Sequence, residues 1–98
     1  MFVSGQVARG ADGSIVTGGI EAQTRQTLNN VAAVLALAGC TLADVVKTTV
    51  WLEDARDFEA FNRVYGEFFP EGKPARSTLQ GTNMVGTGVE IEAIAYKP

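Results

Sequence analysis

Leu28, Val31, Ala32, Leu35 and Ala38 fall at i, i+3, i+4, i+7 and i+10, while Gln26, Asn29 and Asn30 point away from that stripe. This is the spacing of one helical face, and it predicts a helix from about Glu21 to Ala38. Gly39 stands where a left-handed residue closes a helix, and Cys40 follows at the position that folds back onto the last apolar turn. Cys40 is therefore read as a packing residue, because a reactive thiol needs electropositive neighbours that nothing in the sequence identifies. Thr41-Leu-Ala-Asp44 has a capping-box-like spacing and predicts one helical turn. The pattern then changes period. Val45-Val-Lys-Thr-Thr-Val-Trp-Leu52 is rich in β-branched and aromatic residues and predicts a strand, with Val46, Thr48, Val50 and Leu52 on one face and Lys47, Thr49 and Trp51 on the other. Helical spacing returns at Phe58, Phe61, Val64, Tyr65 and Phe68, with Asp54 or Asp57 available as a cap and Pro70 and Gly72 as a stop. This aromatic stripe is expected to be core, laid against a sheet.

Two more strands are predicted, Ala75 to Gln80 and Val89 to Tyr96, joined by the glycine-rich segment Gly81 to Gly88, which reads as a flexible connector. At the other end, Met1 to Val7 reads as a short strand. Gly10-Ala-Asp-Gly13 supplies turn chemistry before a second extended piece, Ser14 to Thr17, so that the two form a hairpin or its remnant. The order is ββαβαββ, an α+β chain, and two amphipathic helices can cover only one face of its sheet. Trp51, Ile94 and Tyr96 then add apolar surface that needs another cover, for which self-association is the economical solution.

A chain of 98 residues is one domain by length. It contains no histidine and one cysteine, Cys40, which excludes an intrachain disulfide, a histidine-based metal site and a histidine proton shuttle. The net charge is −3, and the basic residues are scattered from Arg9 to Lys97, so the electrostatic footprint of a nucleic-acid binder is missing. No apolar run approaches the roughly 20 residues that span a bilayer, and no leader precedes Phe2, so a cytoplasmic protein is expected.

Candidate chemistry lies in the last two strands. Alternation puts Arg76, Thr78 and Gln80 on one face of their strand and Glu90 and Glu92 on one face of theirs. If the two strands pair with these faces aligned, an arginine and two carboxylates meet over a half-buried surface. That arrangement has two readings: an Arg–Glu ion pair that fixes strand pairing or joins subunits, or an arginine fork for a ligand carboxylate with a glutamate placed to handle water or a proton. Spacing alone leaves both open. Gly81 to Gly88 is not a phosphate-binding loop, because no lysine follows its glycines and it joins two strands.

Taken in order, several segments resemble the Rid (reactive intermediate deaminase, formerly YjgF) family. They are Val3-Ser-Gly-Gln6, Glu21-Ala-Gln-Thr-Arg-Gln-Thr-Leu-Asn-Asn30, Asp44-Val-Val-Lys-Thr-Thr-Val-Trp-Leu52, Asp57-Phe-Glu-Ala-Phe-Asn-Arg-Val-Tyr-Gly-Glu-Phe-Phe-Pro70, Lys73-Pro-Ala-Arg-Ser-Thr78 and Val89-Glu-Ile-Glu-Ala-Ile-Ala95. The resemblance covers almost the whole chain, and the ordered set is far more specific than any one motif.

The resemblance implies a two-layer sandwich of a mixed β-sheet with two helices on one face, the chorismate-mutase-like Rid fold, assembling as a homotrimer with pockets at the subunit interfaces. It implies hydrolysis of reactive 2-imino acids or enamines, of the 2-iminobutanoate and 2-iminopropanoate type, to 2-keto acids and ammonia without cofactor or metal. By the same resemblance Arg76 binds the substrate carboxylate, Glu90 positions or activates water, and Ser4, Gly5, Asn62 and Thr78 line the pocket, while Glu92 is structural. Alternatives within the family are another enamine substrate such as an aminomuconate-like intermediate, a non-catalytic trimer that binds small carboxylates, and an RNA-directed activity that the low basic charge disfavours. Family members also carry a strand and a tyrosine-bearing segment ahead of the position of Val3; either the natural start lies upstream of Met1, or that strand and its tyrosine are missing, which would leave a pocket wall and a sheet position open.

Overall fold

The computed structural model describes residues 1–72 and 74–98; Lys73, which opens the Lys73–Thr78 segment quoted above, lies outside the described residues. Four strands and two α-helices occur among the described residues: β1 (Phe2–Gln6), α1 (Ile20–Leu37), β2 (Val45–Leu52), α2 (Phe58–Phe68), β3 (Ala75–Gln80) and β4 (Val89–Ala95). The expected second strand at Ser14–Thr17 is not one. It contributes a single bridge, Arg9 to Ile15, and the hydrogen bond from Val16 N to Ala8 O at 2.8 Å, so the hairpin survives only as a remnant and the order is βαβαββ.

The sheet runs β1-β4-β2-β3. β4 is antiparallel to both β1 and β2, whereas β3 is parallel to β2, which α2 permits by carrying the chain back across the sheet. Leu28, Val31 and Leu35 of α1 and Phe61 and Tyr65 of α2 pack on Val50, Leu52, Val89, Ile91, Ala93 and Ala95, so both helices cover the same face. Of the expected aromatic stripe, Phe61, Val64 and Tyr65 are buried, while Phe58 stands at the rim. Among the described residues no helix or strand covers the opposite face, and Phe2 and Leu79 are exposed.

Local chemistry accounts for the boundaries. Gly39 takes φ +74°, Cys40 N donates to Leu35 O at 3.0 Å and Gly39 N to Ala36 O at 3.1 Å, which is the Schellman closure of α1. Cys40 is thereby folded into the core. Asp44 accepts from Thr41 N at 2.8 Å and starts the single turn Leu42–Asp44 that leads into β2. One face assignment in β2 fails: Val46 is half exposed and Val45 is buried instead. The irregularity in pairing with β4 between Val45 and Lys47 rotates the strand there, and the alternation holds from Lys47 onward.

The Gly81–Gly88 connector is more organised than a flexible link. Asn83 Oδ1 accepts from Thr87 N at 3.0 Å, Asn83 Nδ2 donates to Thr87 O at 2.9 Å, and Thr87 Oγ1 donates to Val89 O at 2.9 Å. Gly88 N donates to Gln23 Oε1 at 2.9 Å, and Gln23 donates in turn to Val16 O at 3.0 Å, tying the loop and the N-terminal remnant to α1.

Candidate active site

The predicted site residues separate into two groups. The first lies where edge strand β3 passes beside α2. Cross-strand registers Thr48–Arg76 and Val50–Thr78 put Arg76 and Thr78 on the helix-covered face, because Thr48 and Val50 are buried under the helices. An edge strand lets a long side chain reach outward past the helix. The Arg76 guanidinium carbon lies 4.6 Å from the ring centroid of Tyr65 and 5.6 Å from those of Phe58 and Phe61. Its Nη1 donates to Asn62 Oδ1 at 2.8 Å. Hydrogen bonding and charge also link it to the Tyr65 hydroxyl, and no carboxylate among the described residues pairs with it.

Tyr65 is itself fixed. Its hydroxyl lies 2.8 Å from Thr48 Oγ1 in a buried hydrogen bond, and burial pushes the phenol up from its usual range, so it remains protonated at neutral pH. Arg76 borders a cleft of about 420 Å³ lined also by Asn62, Tyr65, Gly66, Phe69, Gly72 and Pro74. Thr78 borders a second cavity of about 280 Å³ with Leu52, Ala55, Phe58, Leu79 and Gln80. Its Oγ1 is buried without a hydrogen-bond partner among the described residues, and such an atom is a place for a ligand or a neighbouring chain to complete.

The second group lies on the uncovered face. Registers Trp51–Glu90 and Thr49–Glu92 put both glutamates opposite the helices. Gly5 sits in the irregularity of β1 between Val3 and Gln6, directly against Glu90: a Cβ built on Gly5 would collide with Glu90 Oε2. Glycine is needed here for close approach and not for a left-handed backbone, since Gly5 is not among the positive-φ residues. Ser4 precedes it and is exposed.

This arrangement corrects one expectation. β3 and β4 do not pair, because β2 runs between them, and Arg76 and Glu90 project from opposite faces of the sheet. The ion pairs among the described residues are Arg25–Glu67, Arg56–Asp54 and Arg63–Glu21, none of which involves Arg76, Glu90 or Glu92. The ion-pair strut within one chain is therefore not formed. Sequence reasoning also passed over Tyr65 and Thr48 as parts of the site. The available signal was chemical: a threonine on the buried face of β2 and a tyrosine in the apolar stripe of α2 each bring a hydroxyl into the core that needs a partner.

Fold and residue placement together define a small α+β domain of the kind that presents an aromatic-backed arginine at one sheet edge and a glycine-backed glutamate on its open face. The family model described as Endoribonuclease L-PSP matches residues 1–97. A RutC family protein of Pyrococcus horikoshii is 46% identical over 99% of this chain and 79% of its own length. The human 2-iminobutanoate/2-iminopropanoate deaminase is 38% identical over 99% of this chain and 72% of its own. Among solved structures, E. coli TdcF with bound serine superposes with a TM-score of 0.93 at 36% identity, covering 99% of this chain and 80% of that one. The chain belongs to this family, the YjgF/Rid family.

Proposed function

We propose that this protein is a hydrolytic deaminase of reactive 2-imino acids and their enamine tautomers, of the 2-iminobutanoate and 2-iminopropanoate type. The observation that carries the reading is the state of Arg76: its guanidinium is oriented by Asn62 and Tyr65, yet no carboxylate among the described residues pairs with it. A planar fork held in place without a partner is suited to an incoming carboxylate. Likeness to deaminases at about 40% identity supports the substrate class, and the serine bound by TdcF supports a small molecule bearing an α-carboxylate.

The reaction needs little from the protein. The imine carbon is already electrophilic, so water adds to C2, the new C–O bond forms, and the nitrogen takes up a proton. Collapse of the resulting carbinolamine breaks the C–N bond as its hydroxyl loses a proton and becomes the keto oxygen, releasing ammonia and the 2-keto acid. Glu90 accepts a proton from water and passes it to the nitrogen on addition, then takes the hydroxyl proton and passes it to the departing nitrogen on collapse, while Arg76 holds the carboxylate so that C2 faces the water. Asn62, Thr78, Ser4 and Gly5 line the two sides.

Because Arg76 and Glu90 leave one chain from opposite faces, a site using both takes them from two chains. A homotrimer supplies this arrangement and covers the apolar open face at the same time. Light scattering in dilute solution is expected to give about three chains per particle. A stable monomer with full activity would remove the shared site. The activity itself is tested by generating 2-iminobutanoate and 2-iminopropanoate enzymatically and following their loss together with 2-keto acid and ammonia. Loss no faster than in water would refute the deaminase reading. Gly5→Ala is expected to keep the fold and lower turnover by about 10²-fold, since the added methyl displaces the Glu90 carboxylate. Wild-type turnover in that variant would separate Glu90 from the chemistry.

A further inference from the structure

We infer that Tyr65, anchored by Thr48, is a positioning residue that sets the plane of the Arg76 guanidinium and so determines affinity for the substrate carboxylate. The inference rests on the reading of Arg76 as the carboxylate fork and adds residues from the buried side of α2 and β2.

Three contacts converge. Tyr65 is the closest of the aromatic neighbours, with its ring centroid 4.6 Å from the guanidinium carbon, against 5.6 Å for Phe58 and Phe61. Its ring does not turn freely, because the hydroxyl meets Thr48 Oγ1 at 2.8 Å and Phe61 and Phe69 flank it with centroids at 5.4 and 4.7 Å. Thr48 is the cross-strand partner of Arg76 in the β2–β3 ladder, so the strand pair that places the arginine backbone also places the hydroxyl that holds the ring. Asn62, one turn earlier on α2, takes Nη1. With the guanidinium carbon over the Tyr65 ring and Nη1 on Asn62, the remaining donors are presented in a fixed direction. A side chain with this much rotamer freedom otherwise loses entropy on being ordered, and that loss is met on folding instead of on binding.

The test measures binding of 2-ketobutanoate by calorimetry alongside KM and kcat for 2-iminobutanoate, in wild type, Tyr65→Leu, Tyr65→Phe, Thr48→Val and the Tyr65→Phe/Thr48→Val double variant. Tyr65→Leu removes the ring, and both Kd and KM are expected to rise about tenfold with kcat changing much less. Tyr65→Phe restores the ring but not the anchor, and is expected to recover most of that affinity, leaving a deficit of about threefold. Thr48→Val breaks the Thr48–Tyr65 hydrogen bond alone, so its deficit should be no larger than that of Tyr65→Phe, and the double variant should be no worse than Tyr65→Phe. The last two readouts carry the test if Tyr65→Leu does not fold. Wild-type Kd in a folded Tyr65→Leu, or in both Tyr65→Phe and Thr48→Val where Tyr65→Leu is unfolded, overturns the inference while leaving the deaminase reading intact. A fall in kcat alone, with Kd unchanged, also overturns it. A wild-type protein that neither binds 2-ketobutanoate nor hydrolyses the imine overturns the functional reading first and this inference with it.

Discussion

Arg76→Ala is expected to abolish imine hydrolysis while leaving the protein folded and associated. The side chain donates one charge-assisted hydrogen bond to a neutral amide oxygen and lies over aromatic rings, so its removal should cost about 1–3 kcal/mol of stability. Breaking a buried ion pair would cost about 3–5 kcal/mol, but Arg76 has no such pair among the described residues. Arg76→Lys should not restore activity. An ammonium is a point charge without the planar fork, and it can neither reproduce two parallel donors to a carboxylate nor stack on Tyr65 in the same way. Steady-state assays and thermal unfolding on the two variants decide the matter. Early unfolding with wild-type turnover per folded molecule would show Arg76 to be a strut.

Glu90→Gln has the second large effect. The substitution preserves shape, and the space left by Gly5 accommodates an amide as well as a carboxylate, so fold and binding of 2-ketobutanoate should persist. Turnover should fall by about 10²- to 10⁴-fold, the range lost when a positioned proton acceptor is removed. Equal losses in affinity and turnover would instead place Glu90 among binding groups. Glu92→Gln serves as the control: its side chain is exposed on the same face two residues on, and the variant is expected to remain within a few-fold of wild type.

Period and punctuation were enough to read most of the fold. The α1 stripe, the Gly39–Cys40 closure, the Thr41–Asp44 turn and the α2 aromatics each state a local preference that the packed chain keeps, and the resemblance of the ordered segments identified the family. What failed was non-local. Ser14–Thr17 has the composition of a strand but finds one bridge, Arg9 to Ile15, beyond the end of β1. Val46 follows the alternation on paper but sits at a pairing irregularity that only the partner strand defines. The site was legible as residues and not as geometry. Nothing in the spacing of Arg76 and Glu90 reveals that β2 inserts between their strands, because parallel pairing through the α2 crossover is a property of topology. Tyr65 escaped for a related reason: a tyrosine in an apolar helical stripe reads as packing until β3 is known to lie beside that helix.

If catalysis unites Arg76 of one protomer with Glu90 of another, two inactive variants should complement each other within one particle. Arg76→Ala and Glu90→Gln chains, each inactive alone, are co-expressed with different tags and the mixed particles isolated. If the site is shared, each isolated mixed trimer has one interface of three where an Arg-intact chain meets a Glu-intact neighbour, and turnover should return to about a third of wild type. Mixed particles that assemble normally and remain as inactive as the parent variants would contradict the shared site and return the chemistry, if any, to residues within a single chain.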